Sequence, residues 1–119
     1  MRKLYLYVMD KFVPLTISLA DFLELATVNP LGLFELIRGV VEDEVGEIYD
    51  VRVYGRFFDP KSMDVVVEYL VKCRIGEVSA KIIYSNDLSQ ALMRYYLSLI
   101  HISEPTRPLY ISYAVFCLK

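Results

Sequence analysis

The sequence predicts an α+β fold with the element order ββααβββα, and three observations carry the prediction. Apolar residues recur with period two near the N-terminus and again through residues 47–84, as half-buried strands require. Between these stretches, and after them, the spacing changes to the three-to-four interval of amphipathic helices. The links within residues 47–84 are short and carry turn residues, which makes the three strands there an antiparallel meander.

Residues 3–9 alternate Leu4, Leu6 and Val8 with Tyr5, Tyr7 and Met9, a strand pattern. Asp10 and Lys11 turn it, and residues 12–17 return as an edge strand, because Pro14 has no N–H to give a ladder. Ser18 fits a helix N-cap ahead of the stripe Leu19, Phe22, Leu23 and Ala26. Asn29 and Pro30 then break and restart the helix, as cap and first helical residue. Leu33, Leu36, Ile37, Val40 and Val41 form the second stripe, and Gly46 stops it. Glu42, Asp43 and Glu44 in its last turn read as a solvated acidic end.

The next strand, residues 47–58, puts Tyr49, Val51, Val53, Gly55 and Phe57 on one face and Asp50, Arg52, Tyr54 and Arg56 on the other. After the turn FDPKSM, residues 64–74 place Val65, Val67, Tyr69, Val71 and Cys73 opposite Val66, Glu68, Leu70, Lys72 and Arg74. Ile75 and Gly76 turn into residues 77–84, where Val78, Ala80, Ile82 and Tyr84 alternate with Glu77, Ser79, Lys81 and Ile83. Ser85, Asn86 and Asp87 cap a last helix with the stripe Leu88, Ala91, Leu92 and Tyr95.

The end of the chain is of another kind. LSLIHISEPTR (97–107) and ISYAVFCL (111–118) resemble a translated Nextera-type sequencing adapter, in order, in frame and with a gap of fitting length. The resemblance implies that residues 1–96 form a single truncated α+β domain, that residues 97–119 are a non-native tail, and that the natural gene departs from this sequence at about Tyr96. The apolar run LSLIHI is expected to extend the last helix regardless of its origin.

Without residues 97–119 the chain loses two basic residues, Arg107 and Lys119, and one acidic residue, Glu104, so its formal charge moves from −2 to −3. That balance gives no global attraction to nucleic acid or to an anionic membrane. His101 and Cys117 also fall in the tail, which leaves no histidine and one cysteine, Cys73, read as a small core residue. The lack of a disulfide framework and of a secretory leader pattern implies a cytoplasmic protein, and no apolar run approaches membrane-spanning length.

These counts exclude a Ser-His-Asp triad, a Cys-His pair, a histidine metal site and a zinc cluster from residues 1–96. No glycine-rich phosphate loop is present either. What remains is carboxylate and lysine chemistry around a hard metal such as Mg²⁺.

On that footing residues 33–96 resemble the PD-(D/E)XK nuclease family, in which a helix precedes a three-stranded antiparallel unit and another helix follows. Asp64 matches the family aspartate at the start of the second strand, and Lys81 matches the lysine on the third. The resemblance implies that Asp64 and Lys81 are catalytic: the carboxylate holds Mg²⁺ and the lysine orients or activates water. The motif is degenerate, since Met63 stands where the family has proline and Ser79 where it has a carboxylate. Glu77, on the same strand face, is the expected replacement metal ligand beside Asp64, with Glu68 as another choice. Glu35 or Glu42 fits the helical acidic role of some members, and Gln90, Arg94 and Tyr95 are similar to the helix of several branches.

Two non-catalytic readings stand beside this one. Arg52, Tyr54, Arg56, Lys72 and Arg74, with Lys81, would gather on one sheet face as a phosphate-binding and base-stacking surface for RNA or single-stranded DNA. Asp50, Glu68 and Glu77 dilute that face. Alternatively, the eight tyrosines before the tail suit an accessory protein with a protein partner.

Overall fold

A computed structural model describes the backbone of residues 3–103 and the side chains of residues 4–99. The observed order is β1 (Lys3–Val8), β2 (Lys11–Pro14), α1 (Leu19–Val28), α2 (Pro30–Val45), β3 (Ile48–Asp59), β4 (Asp64–Cys73), β5 (Gly76–Ser85) and α3 (Leu88–Ser103). This is the α+β order ββααβββα. The five strands form one antiparallel sheet in the order β2-β1-β5-β4-β3, so the N-terminal hairpin joins the meander through β1 and β5. Among the described residues no helix is long and apolar enough to cross a membrane.

The β1–β2 turn is one residue earlier than the sequence suggests. Met9 and Asp10 both adopt positive φ, 53° and 60°, and Val8 pairs with Lys11. A two-residue turn with both residues left-handed matches the twist of the strands it joins. Pro14 lies on the edge strand, where its missing N–H costs no ladder bond.

The helix starts follow their caps. Ser18 Oγ accepts from the Asp21 N–H at 3.1 Å, and Asn29 Oδ1 accepts from the Gly32 N–H at 3.0 Å. Gly46 ends α2 with φ 84°. The acidic end of α2 is a solvated face: Glu44 pairs with Lys11 at 2.8 Å and Glu42 with Arg38 at 3.8 Å.

Two cores flank the sheet. Phe22, Ala26, Leu33, Phe34, Ile37 and Val41 of α1 and α2 meet Leu6, Val8, Val65, Val67, Tyr69, Val71, Ala80 and Ile82 on one face. Cys73 is buried there with its thiol unbridged. Ala91, Leu92 and Tyr95 of α3 meet Val66, Ile83 and Phe57 on the other face. The sheet is therefore a middle layer, and the face that reads as polar in the sequence is roofed by α3. The helix crosses residue 97 without interruption, as the apolar run predicts, and residues from Glu104 onward lie outside the described residues.

Strand β3 departs from simple alternation. Its register with β4 slips between Ile48 and Asp50 and again between Val53 and Gly55. Each bulge inserts an unpaired residue and inverts the parity of the residues beyond it. Val51 and Val53 keep to the α1–α2 face, but beyond Tyr54 the strand turns over, so Gly55 and Phe57 face α3 and Arg56 faces α1.

Candidate functional site

The face under α3 carries the buried charge of the protein. Asp64, Glu68, Lys81 and Ser85 have relative exposures of 2, 6, 5 and 1%. They occupy this face because β4 and β5 alternate strictly, and α3 encloses them by setting Ala91, Leu92 and Tyr95 on the apolar residues between them.

They form two separate groups. In the first, Asp64 accepts from Ser85 Oγ at 2.6 Å and from Arg94 Nη1 at 2.5 Å. Arg94 also reaches Asp59 at 3.9 Å, the residue paired with Asp64 across the β3–β4 ladder. Two carboxylates directly opposite would repel, and the guanidinium from α3 offsets both. Backbone N–H donation from Lys61 holds the Asp59 carboxyl below its ordinary range.

In the second group Glu68 and Lys81 are direct cross-strand partners. Glu68 Oε1 accepts from the Tyr95 hydroxyl at 2.6 Å, and Oε2 accepts from the Ser79 hydroxyl at 2.7 Å. Ser79 in turn accepts from Lys81 Nζ at 2.9 Å, while Nζ stands 3.6 Å from Glu68 Oε2. Lys81 also lies over the rings of Tyr7 and Tyr96, at 5.7 and 5.4 Å. Burial, and then the bond to Glu68, pushes the Tyr95 phenol far above its ordinary range. Tyr95 therefore stays a neutral donor at physiological pH.

This arrangement does not bring the expected catalytic and metal residues together. Glu68, the partner of Lys81, is four residues along β4 from Asp64, about 13 Å at strand rise. Glu77 pairs with Lys72, eight positions along the ladder from Asp64, or about 27 Å. Oxygen ligands of one Mg²⁺ each lie about 2 Å from it. Asp64 and Glu77 therefore do not share an ion, and Lys81 does not reach water held at Asp64. Among the described residues no three of histidine, cysteine, aspartate and glutamate group closely enough to hold a metal. Glu68 is the carboxylate beside Ser79 and Lys81, but it stands there with a phenol and a hydroxyl rather than a second acid.

The expected nucleic-acid face is also divided. Arg56 is on the opposite side of the sheet, where Nη1 donates to the carbonyls of Ala26 and Thr27 at 3.1 and 3.0 Å. It closes the C-terminus of α1, whose own last turn has no basic residue. Tyr54 sits at the bulge and is exposed. Arg52 pairs with Glu77 at 3.5 Å. Lys72 stands between Asp50 and Glu77 on neighbouring strands, and Arg74 is in the β4–β5 turn. Lys81 is buried and paired.

Sequence reasoning missed Tyr95, Ser79 and Ser85 as partners of the buried charges. A signal for them exists. The last helix has an apolar stripe that needs an apolar seat, and Val66 and Ile83 offer one on the polar face. No protein-family model, curated protein or solved structure matches the chain.

Proposed function

We propose that this chain is a non-catalytic protein-interaction domain that acts as a symmetric dimer joined along β3. The observation that carries the reading is the open edge of that strand. β3 is 12 residues long, pairs with β4 alone among the described strands, and exposes Tyr49, Tyr54 and Phe58. A long edge strand with large apolar side chains is a pairing site unless something covers it.

The occupant proposed is a second copy, because the strand is self-complementary. An antiparallel pair centred on Val51 sets Asp50 opposite Arg52 twice, on the same face as α3, with Tyr49 opposite Val53. A slip of one residue would set Asp50 opposite Val51 or Val53 and lose both ion pairs, which favours this register over a slipped one. The accounting of buried carboxylates supports the same reading: Asp64 and Glu68 are held by internal partners.

Analytical ultracentrifugation tests it. The wild type is expected as a dimer, and Asp50→Arg and Arg52→Asp each as a monomer. Mixed together, those two variants are expected to form a heterodimer, because each Asp then meets an Arg. A monomeric wild type, or a mixture that stays monomeric, overturns the reading.

A further inference from the structure

The opposite end of the molecule has a second feature. Between the β1–β2 hairpin and α3 lie two hollows that share Tyr7 and Tyr96 as walls. One, of about 390 Å³, is apolar and lined by Phe12, Leu92 and Met93. The other, of about 310 Å³, is the more polar of the two and reaches Ser79 and Lys81. Both volumes lie in the range of small-molecule sites. Leu97 also lines the apolar hollow, and the other lining residues of both hollows precede it.

Lys81 has the chemistry to receive a ligand. Its ammonium carries three N–H donors. Among the described residues it makes one hydrogen bond, to Ser79, and Glu68 at 3.6 Å is beyond hydrogen-bond length. A cation that is 5% exposed gains from a further acceptor in the hollow it borders. The two phenol rings flank its approach and continue into the apolar hollow.

We propose that the two hollows form one site for a small amphiphilic monocarboxylate. Its carboxylate meets the Lys81 ammonium, and its apolar chain lies against Phe12, Leu92 and Met93. Lys81 is the one cation among the described residues that line the polar hollow, and the two acids near it disfavour a doubly charged head more than a singly charged one. Glu68 already offsets Lys81, and Asp10, which accepts from Tyr7 at 3.3 Å, stands at the rim and repels a doubly charged head such as phosphate. The site does not depend on the β3 edge, which lies at the other side of the sheet.

The test is a titration with decanoate, decanol and decyltrimethylammonium, each below its micelle concentration, followed by NMR of the Lys81 ε-methylene and the Met93 methyl. Decanoate is expected to shift both signals saturably. Lys81→Met should weaken decanoate at least tenfold and leave decanol within twofold. Because that substitution leaves Glu68 without its counter-charge, Lys81→Met/Glu68→Gln provides a neutral pair for the same comparison. Absence of a saturable decanoate shift in the wild type overturns the proposal. So does equal binding of all three probes, or a response at Met93 with none at Lys81, since either marks a merely apolar groove.

Discussion

The Tyr95 hydroxyl lies 2.6 Å from the point where Gly55 would carry a Cβ. The next ring atoms of Tyr95 are at 3.6 and 3.7 Å, ordinary contact distances, so the hydroxyl alone sets the conflict. That same hydroxyl is committed to Glu68 at 2.6 Å and is enclosed by the sheet and α3. Gly55 is thus bare so that a helix side chain can reach a strand carboxylate.

Gly55→Ala is therefore expected to destabilise the protein by about 1–3 kcal/mol, the usual cost of overpacking. Tyr95→Phe removes the clashing oxygen and, with it, the bond to Glu68. In the double variant the two losses should be less than additive, since each removes the cause of the other. Urea unfolding of the four proteins gives the coupling, and strict additivity would refute the contact.

Alkaline pH should unfold the protein. Burial raises the phenols of Tyr69 and Tyr95 above their ordinary range. In the unfolded chain both ionise near pH 10, while the folded state retains both protons. Stability is thus fully present below about pH 10 and falls above it, by about 1.4 kcal/mol per pH unit for each phenol. Tyr95→Phe should halve that slope. The check is the urea midpoint between pH 9 and 11.5, and a flat profile there contradicts the burial of these hydroxyls.

Arg94→Ala should cost about 2–3 kcal/mol, since it removes the charged partner of the buried Asp64 carboxylate beside Asp59. Asp64→Asn in the same chain should recover part of the loss by removing the charge. Equilibrium unfolding of the single and double variants reads this out. If Asp64 were instead a metal ligand, Mg²⁺ would raise the wild-type midpoint, and Asp64→Asn would abolish that rise.

Arg56→Ala should lower stability by about 1 kcal/mol, through the two carbonyls it serves at the end of α1. Hydrogen exchange of Ala26, Thr27 and Val28 should quicken with it. A nucleic-acid role for Arg56 predicts the contrary: unchanged exchange, with a salt-dependent affinity for RNA that the substitution removes.

The resemblance of residues 97–119 to an adapter makes a separate prediction. Sequencing the source DNA without transposase adapters should show the reading frame leaving LSLIHISEPTR after Tyr96. Recovery of the same codons would make the tail genuine, and His101 and Cys117 would then belong to the protein's chemistry.

Most of the fold was legible because period-two alternation in β4 and β5 is uninterrupted, so Asp64, Glu68 and Lys81 were placed on their correct face. Ser18, Asn29 and Gly46 marked their helix ends by side-chain or backbone chemistry that acts locally. The candidate sites failed where the physics is not local. Bulges at Tyr49 and Tyr54 reversed β3 and took Arg56 from the expected surface. Gly55 inside a strand was the trace of this, since an interior glycine marks a bulge or a close approach. Distance along a ladder decided the rest, because Asp64 and Lys81 share a face while standing four rungs apart.

The place of β1 between β2 and β5 has a consequence in time. A ribosome releases β1 before the strand it must join, β5, which follows about seventy residues later. At 5–20 residues per second this is an interval of roughly 4–14 s. Throughout it the hairpin can satisfy one edge of β1 with β2, while the other edge waits for a neighbour not yet synthesised. A chaperone that shields Tyr5 and Leu6 during synthesis would therefore act on the interval in which this sheet is most easily joined to the wrong strand.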